Sequence, residues 1–439
     1  MRRITTLAGI AAVSLALAAC GGNAGTNGGT ETQSSEGANP WEGDASQVDV
    51  MTWWEAGSEK LGLEALEKVF QEQNPDTKFV NAAIAGGGGS QAKQKLSADL
   101  ANKNAPDTFQ AHAGAELTDY IDADQIVDIS GLYDELDLKS AFPATLIDRL
   151  TVDGSIYSVP SNVHRANVVW ANPNVLKEAG IDTEKPPADI DAWIADMEKI
   201  KAAGKTPITV GMAWTQVHLL ETILIADLGA DGYNGLFDGK TKWDSDEVKK
   251  ALTHFEKIMS FTDKSLHSED WEPAMNPVIE GKAAYNVMGD WAVAAYDSQQ
   301  KKAGTDYIYF PVPGTDGIFD FLADSFTLPK DAKHPGGTKA WLQTISSKEG
   351  QIAFNKVKGS IPARSDLSDA EKGEFSEYQQ NAMQSFGNDT IVSSIAHGAA
   401  VPVKVSNAIS DAVTKFTETG ASVDDFQAEI VKATQDLGK

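Results

Sequence analysis

Cysteine is almost absent from this sequence, because Cys20 is the only one among its 439 residues. A single cysteine excludes intrachain disulfides, four-cysteine zinc sites and iron–sulfur clusters. The seven histidines form neither an HExxH motif nor a histidine-rich tract. The glycine run at 86–89 lacks the GxGxxG spacing and has no Walker Lys-Ser/Thr pair. We therefore predict no metal and no cofactor.

Basic residues are also scarce in this chain. Lysine and arginine number 37 against 63 aspartates and glutamates, and the formal net charge is −26 at pH 7. Such an acidic surface repels the phosphate backbone of nucleic acids and the headgroups of anionic lipids. We therefore expect no nucleic-acid partner and no electrostatic adsorption to a membrane.

Long apolar runs are limited to residues 4–17, which follow the charged start Met1-Arg-Arg3 and are too short to span a membrane comfortably. The run leads into Leu17-Ala-Ala-Cys20-Gly-Gly, which matches the lipobox of bacterial lipoproteins. We predict a signal peptide over 1–19 and a lipid anchor on Cys20 that holds the protein on the extracytoplasmic face of the cell membrane. An ordinary secreted protein with an incidental cysteine is the alternative.

Residues 20–47 are rich in glycine, serine, threonine and asparagine and contain no lysine or arginine. This composition cannot bury enough apolar surface to fold, so we predict a flexible tether. The remaining chain, residues 48–439, is too long for one ordinary hydrophobic core and predicts two lobes.

Two adjacent tryptophans end the first predicted strand, at 48–55. Open α/β sheets bind ligands beyond the carboxyl ends of their strands, and indole faces suit the C–H faces of a sugar ring. Either Trp53 or Trp54 could instead cap the core. A helix over 58–73, capped by its first residue, and a strand over 77–83 follow, so the chain begins a parallel sheet.

Polar side chains occupy the tips of two further predicted strands. Gln110 and His112 lie in the strand at 108–115, and Asp290-Trp291 follows the strand at 283–288. Because these tips meet at one edge of a sheet, they are candidate ligand contacts. A lone histidine is, however, more often a structural hydrogen-bonding residue than a ligand contact.

Crossovers between the two lobes are predicted at Ser155–Pro160 and Tyr307–Pro313, because prolines there disfavour a central strand. The glycine run at 86–89 opens a helix and could cradle a phosphate. Without a supporting motif, the favoured interpretation is a flexible loop near the cleft rim.

Several stretches together resemble the sugar-binding lipoproteins of bacterial ATP-driven importers, and most closely their glucose/mannose-type members. The order and spacing of these stretches carry the resemblance, which runs from about residue 48 to the C-terminus. They are Cys20 with its tether, Trp53-Trp54, Phe-Gln-Ala-His-Ala-Gly at 109–114, Asn-Val-Met-Gly-Asp-Trp-Ala at 286–292 and Lys-Gly-Ser-Ile-Pro-Ala-Arg at 358–364.

The resemblance implies an α/β fold of the two-lobed, periplasmic-binding-protein-like type II, with hinge-linked lobes and a ligand cleft between them. The N-terminal lobe would comprise 48–160 and 314–358, and the C-terminal lobe 161–313 and 359–439. It also implies a sugar site in the cleft, with Trp53 or Trp54 and Trp291 stacking on the sugar. The hydrogen-bonding residues implied are Glu59, Gln110, His112, Asp324, Lys358 and His397, with His164 and Asp290 as further candidates and Trp271 as a weaker one.

The expected function is that of a non-enzymatic, extracytoplasmic substrate-binding component of an ABC transporter. It would capture a monosaccharide such as glucose, galactose or mannose, act as a monomer and deliver the sugar to the membrane permease. A histidine like His397 closes the cleft in the monosaccharide type. The alternatives are an oligosaccharide-binding importer component, a secreted glycoside hydrolase using carboxylates such as Glu59 and Asp324, a metal-binding lipoprotein and a surface adhesin.

Overall fold

The computed structural model describes residues 39–437. Cys20, the signal peptide predicted over 1–19 and most of the predicted tether lie outside the described residues. The folded part begins before the predicted end of the tether, because Trp41 packs against the core. The carbonyl of Ser46 also accepts a hydrogen bond from the Lys78 amide at 2.8 Å. In this range no helix has the length and apolar character needed to cross a membrane.

The strands within residues 39–437 are β1 (Gln47–Met51), β2 (Lys78–Asn81), β3 (Thr108–His112), β4 (Thr151–Val152), β5 (Ser155–Ile156), β6 (Ser158–Pro160), β7 (His164–Arg165), β8 (Val168–Ala171), β9 (Thr206–Thr209), β10 (Ala283–Val287), β11 (Ile308–Pro311), β12 (Ile318–Leu322), β13 (Asp324–Thr327) and β14 (Thr390–Ser393).

The helices in the same range are α1 (Gly57–Gln73), α2 (Ser90–Ala101), α3 (Glu116–Asp122), α4 (Ser130–Glu135), α5 (Leu138–Ala141), α6 (Ala144–Leu150), α7 (Pro173–Glu178), α8 (Ile190–Ala202), α9 (Ala213–Asp238), α10 (Asp246–Met259), α11 (Trp271–Ile279), α12 (Ala292–Ser298), α13 (Pro335–Ser346), α14 (Lys348–Lys358), α15 (Asp369–Lys372), α16 (Glu377–Asn388), α17 (Val403–Thr419) and α18 (Val423–Ala433). Helix α9 is interrupted at Gly229.

Two large sheets form the two lobes. The first has the order β2-β1-β3-β13-β6, with β1 parallel to β2 and β3 and with β13 antiparallel to β3 and β6. The second has the order β11-β8-β10-β9. One large apolar core surrounds the first sheet and another packs on the second. The predicted two-lobed α/β fold is therefore confirmed.

The connections between the lobes lie beside a small sheet of order β14-β12-β7. The chain leaves the first sheet after Pro160 and enters β7, just beyond the first predicted crossover. The second predicted crossover, Tyr307–Pro313, instead contains β11, an edge strand of the second sheet. Prolines are tolerated there because an edge strand leaves N–H positions unpaired. The chain returns to the first sheet between Leu322 and Asp324.

Helix α1 places one wall of the interlobe cleft. It begins at Gly57, so Ser58 lies inside the first turn and is not the predicted cap. The Ser58 amide instead contacts the Glu272 carboxylate of the second lobe at 3.4 Å. The buried face of the helix contains Leu63, Leu66 and Phe70.

Asp320 of β12 and Glu221 of α9 form a fully buried carboxyl pair beside the connections. Burial and the charge of Glu221 raise the pKa of Asp320 well above its ordinary value, and nearby Arg165 opposes this only in part. Burial raises the pKa of Glu221 to about 7, although its carboxylate also accepts hydrogen bonds from the loop after β14. Tyr233 also faces the pair, and the imidazoles of His218 and His397 lie beside Glu221. The pair therefore holds protons that an unfolded chain releases.

We expect Asp320→Asn to stabilise the protein relative to wild type by a margin that grows between about pH 5 and about pH 8. The unfolded chain loses its carboxyl protons near pH 4. The folded pair keeps them to higher pH, so wild-type stability falls as the pH rises through that range. The Asn amide can donate to Glu221 without a proton being taken up.

The measurement is thermal unfolding by calorimetry of both proteins across this pH range. Asp316→Asn, an exposed position on the same segment, is the matched control and should follow wild type. If the difference in stability between Asp320→Asn and wild type does not change with pH, the carboxyl pair does not retain protons in the folded protein.

Candidate functional site

A pocket of about 440 Å³ lies between the lobes, at the carboxyl ends of β1, β3 and β10 and at the start of β13. Nine of the eleven predicted binding residues line it, together with six residues that were not among them. The nine are Trp53, Trp54, Glu59, His112, His164, Trp291, Asp324, Lys358 and His397. The six are Gly86, Gly88, Trp214, Asp270, Leu322 and Trp271, the last of which was predicted only as a weaker candidate.

Asp324 of this pocket accepts hydrogen bonds from three side chains. Its Oδ1 accepts from Gln110 Nε2 at 2.8 Å, and its Oδ2 accepts from Asn162 Nδ2 at 2.7 Å and from His164 Nε2 at 3.1 Å. Burial raises the pKa of Asp324, but the hydrogen bond and charge of His164, with help from His112 and Lys358, outweigh burial and lower the pKa well below its ordinary value. Asp324 is therefore a fixed carboxylate.

His164 lies between two buried carboxylates. Its Nδ1 donates to Asp290, its Nε2 donates to Asp324, and the second oxygen of Asp290 accepts from the Arg165 amide at 3.1 Å. Burial lowers the pKa of His164, but Asp290 and then Asp324 outweigh it, so the net pKa is raised. His164 is thus held as an imidazolium with both N–H groups occupied.

Two predicted residues, Gln110 and Asp290, do not line the pocket. Gln110 lies behind Asp324, and its Oε1 accepts from the Thr52 hydroxyl and from the Trp53 amide. Asp290 is fully buried behind His164. Both side chains lie at strand tips as the sequence indicated, but each orients a neighbour and does not reach the cavity.

Lys358 and Glu59 form an ion pair at the pocket wall, with 2.8 Å between Lys358 Nζ and Glu59 Oε1. The Lys358 side chain is 2% exposed and the Glu59 side chain 19%. The ammonium also lies 5.7 Å from the Trp54 ring and 5.8 Å from the Trp291 ring, within the distance of a cation–π interaction. Burial raises the pKa of Glu59, and Lys358 only partly offsets that effect.

Histidines complete another part of the wall. His397 Nε2 lies 3.1 Å from Nδ1 of His218, whose Nε2 lies 2.8 Å from the carbonyl of Ala166. Burial lowers the pKa of His218 to about 4, and burial with the charges of His218 and His112 lowers that of His397 well below its ordinary value. A carbonyl only accepts, so neutral His218 donates through Nε2 and accepts through Nδ1. His397 therefore donates through Nε2 and keeps Nδ1 as an acceptor.

His112 is bound to a charged group outside the pocket. Its Nδ1 lies 2.8 Å from Oε2 of Glu116, which also pairs with Lys93 Nζ at 2.9 Å. Burial raises the pKa of Glu116, but Lys93 and then His112 outweigh it and lower the pKa to about 2. The His112 ring is thereby fixed 5.1 Å, centre to centre, from the ring of Trp53.

The tryptophans have two different roles. Trp54 is fully buried and packs on Phe354 and Phe326 at ring separations of 4.8 and 5.8 Å, so it caps the core of the first lobe while one edge reaches the pocket. Trp291 lies between the imidazoles of His164 and His397, at 5.0 and 5.2 Å. The core alternative therefore describes Trp54 better than Trp53 or Trp291.

The unpredicted wall residues Trp214 and Asp270 both belong to the second lobe. Trp214 lies in the first turn of α9, shortly after β9 ends, and Asp270 caps the N-terminus of α11. The signal that pointed to Trp53, an aromatic residue just beyond a strand, was also present at Trp214.

One group within residues 39–437 has spacing suited to a metal ion: ligand atoms of His218, Glu221 and His397 lie within 4.8 Å of one another. The two imidazoles are already hydrogen-bonded to each other. The Glu221 carboxylate accepts from the Ser394 hydroxyl and from two amides of the same loop. These donors and acceptors are thus engaged within the protein.

We expect Asp290→Asn to lower the free energy of unfolding by about 1–3 kcal/mol, because Asn supplies one acceptor for two buried donors. The raised pKa of His164 means that its stabilising charge is fully present below about pH 6.5 and is lost as pH rises through the folded value. The loss should therefore be larger at about pH 5.5 than at about pH 9.

Denaturant unfolding at the two pH values measures this difference. Exposed Asp297, on α12 immediately after the site, gives a matched control as Asp297→Asn. An equal loss at both pH values would mean that Asp290 does not stabilise the charged form of His164.

Comparison with known proteins gives a consistent result. The sequence profile of the family described as bacterial extracellular solute-binding protein matches residues 45–352. An uncharacterized ABC transporter extracellular-binding protein of Pyrococcus horikoshii is 33% identical over 413 residues, which cover 93% of this chain and 91% of that protein. A probable sugar-binding periplasmic protein of Brucella melitensis is 32% identical, covering 88% of this chain and 92% of that protein.

Solved structures show the same fold at lower sequence identity. A chitin oligosaccharide binding protein superposes with a TM-score of 0.78 at 19% identity, covering 90% of this chain and all of that chain (100%). The solute receptor AcbH, which has an exclusive substrate preference for β-D-galactopyranose, gives a TM-score of 0.76 at 17% identity, covering 90% of this chain and 99% of that one.

Proposed function

Because this chain belongs to the family of bacterial extracellular solute-binding proteins, we propose that it is the sugar-binding component of an ABC importer. The observation that carries this proposal is the composition of the interlobe pocket. Indole walls surround carboxylate, ammonium and imidazole groups that are held in place by protein partners. The curated relative in Brucella melitensis is named as a probable sugar-binding protein, which supports the same ligand class.

The chemistry of a sugar matches these groups. A hydroxyl both donates and accepts, so Asp324 and Glu59 accept from it, Lys358 donates to it, and His397 Nδ1 accepts. Charged partners make the stronger of these hydrogen bonds. The faces of Trp53 and Trp291 pack against the C–H faces of the ring. A site in which each hydroxyl has a partner rejects sugars that lack one, because a buried polar group is then left unpaired.

We propose a monosaccharide such as glucose, galactose or mannose as the ligand. The pocket is the smaller of two adjoining cavities, with an empty volume of about 440 Å³ against about 1160 Å³ for the groove beside it. The fold alone does not decide the number of rings, since both a galactose-preferring receptor and a chitin-oligosaccharide binder share it. An oligosaccharide ligand is the alternative, and a larger groove beside the pocket favours it.

The two lobes suggest how binding is signalled. Only the closed arrangement lets residues of both lobes touch one ligand, so sugar binding favours closure. The two chain crossings, at 160–164 and 322–324, would act as the hinge together with the turn after α14 at 358–361, which pairs with the first crossing through Val163 and Ile361. The closed form would then be the one that the permease recognises. The protein would act as a monomer, anchored through Cys20 to the outer face of the cell membrane.

We expect one or two monosaccharides to raise the unfolding temperature of the soluble domain. The panel is glucose, galactose, mannose, xylose, maltose and cellobiose. A ligand at 100 times its Kd adds about 2.7 kcal/mol to the free energy of unfolding. Lys358→Gln should abolish the shift because it removes a buried ammonium donor, whereas Lys356→Gln, an exposed lysine on the same helix, should retain it.

A shift with the disaccharides alone would establish the oligosaccharide alternative and reject the monosaccharide. No shift with any sugar would reject the proposed function. A shift that survives Lys358→Gln would mean that sugar binds outside this pocket.

A sugar that raises the unfolding temperature should also make the protein more compact in small-angle scattering. The physical reason is that closure brings the lobes together around the ligand. The measurement compares the radius of gyration with and without that sugar, and a non-binding sugar at the same concentration is the control. An unchanged radius would contradict closure as the signal.

A further inference from the structure

The glycine run at 86–89 makes a specific contact between the lobes. All four residues have positive φ values of 57–110°, a region open to glycine but costly for other residues. The amide of Gly87 donates to Asp270 Oδ2 at 2.9 Å, although Asp270 belongs to the second lobe. The loop is therefore held by a carboxylate of the opposite lobe.

The same carboxylate also fixes an indole. Asp270 Oδ1 accepts from Trp214 Nε1 at 3.0 Å and from the Trp271 amide at 2.8 Å. A Cβ placed on Gly88 would lie 3.1 Å from the Trp214 ring, so the loop backbone packs directly on this indole. Because three N–H groups of the protein donate to its two oxygens, most of the hydrogen-bonding capacity of Asp270 is used within the protein.

Gly88 and Trp214 separate two cavities, because both residues line the pocket and also a groove of about 1160 Å³ on its far side. The groove has polar sides suited to sugar hydroxyls. They come from α2 of the first lobe and α17 of the second, through Ser90, Lys93, Ser97, Ser406, Asn407 and Ser410.

We infer that Asp270 is a specificity-determining positioning residue that limits the ligand to one sugar ring. It holds Gly88 against Trp214, and this wall closes the pocket toward the groove. The inference rests on the proposed function, since it concerns the length of the sugar that the same pocket accepts. Without the carboxylate, the wall loses the acceptor that joins its two halves, and a second ring can extend into the groove.

The test compares Asp270→Asn with wild type in titration calorimetry, using glucose, galactose and mannose and the disaccharides maltose and cellobiose. Asn keeps the shape but has one acceptor oxygen for three donors. We expect the ratio of disaccharide to monosaccharide affinity to rise by about tenfold or more. Asp189→Asn is the matched control, because Asp189 also caps a helix of the second lobe but lies on its exposed surface.

A second measurement reports on the wall without any sugar. Hydrogen–deuterium exchange at 86–89 should become faster in Asp270→Asn and stay unchanged in Asp189→Asn, because the Gly87 amide loses its acceptor. If Asp270→Asn does not fold, Trp214→Leu removes the other half of the wall and should raise the same affinity ratio.

An unchanged affinity ratio in a folded variant would overturn the inference while leaving the proposed function standing. A wild-type protein that binds disaccharides as tightly as monosaccharides would overturn it as well. If wild type binds none of the five sugars, the proposed function fails first. Unchanged exchange at 86–89 in Asp270→Asn would show that Asp270 does not hold the wall.

Discussion

A buried imidazolium between two carboxylates is the interaction on which this site depends. His164, Asp290 and Asp324 come from three separate stretches of chain, and all are at most 3% exposed. A buried charge is tolerated only with a charged or hydrogen-bonding partner. Each of the three side chains therefore depends on the positions of the other two. A movement of any one of the three stretches would leave a buried charge without its partner.

The same constraint organises the connections between the lobes. The Asp324 amide donates to Asn162 at 2.8 Å, and the Asp324 carbonyl accepts from the Ser161 amide at 2.8 Å. The backbone of Asp324, which supplies the pocket carboxylate, is thus joined to the other chain crossing through the side chain of Asn162 and the amide of Ser161. A side chain fixed in this way loses little conformational freedom when a ligand arrives, which preserves binding energy.

Strand tips were the part of the site most open to prediction from sequence. Trp53, His112 and Trp291 follow alternating or apolar runs, and residues beyond strand ends in an open sheet converge on one edge. Whether a residue at a strand tip reaches the pocket or lies behind it was harder to predict. Gln110 and Asp290 occupy the expected tips, but each is buried behind the pocket residue that it binds, Asp324 and His164 respectively.

Contacts between the lobes could not be predicted in this way. Asp270 was not among the predicted site residues, and its role depends on a glycine amide 183 positions away in sequence. The second crossover was misplaced for a related reason. Prolines mark an edge strand as readily as a linker, and only the pairing of β11 with β8 tells the two apart.

The two sides of the pocket differ in charge, and this difference bears on closure. The charged groups Asp324, His164, Glu59 and Lys358 are paired with one another, and His164 is also paired with Asp290, which follows β10 of the second sheet. The second lobe contributes indoles and the neutral imidazole of His397, together with Asp270, whose oxygens already accept N–H donors. Removing water from an unpaired charge is the costly part of bringing polar surfaces together. Asp270 and Glu272 of this face also accept from amides of the first lobe, those of Gly87 and Ser58. Closure therefore brings hydrogen-bond donors to the carboxylates from which it removes water, and the ligand's hydroxyls complete the remaining hydrogen bonds.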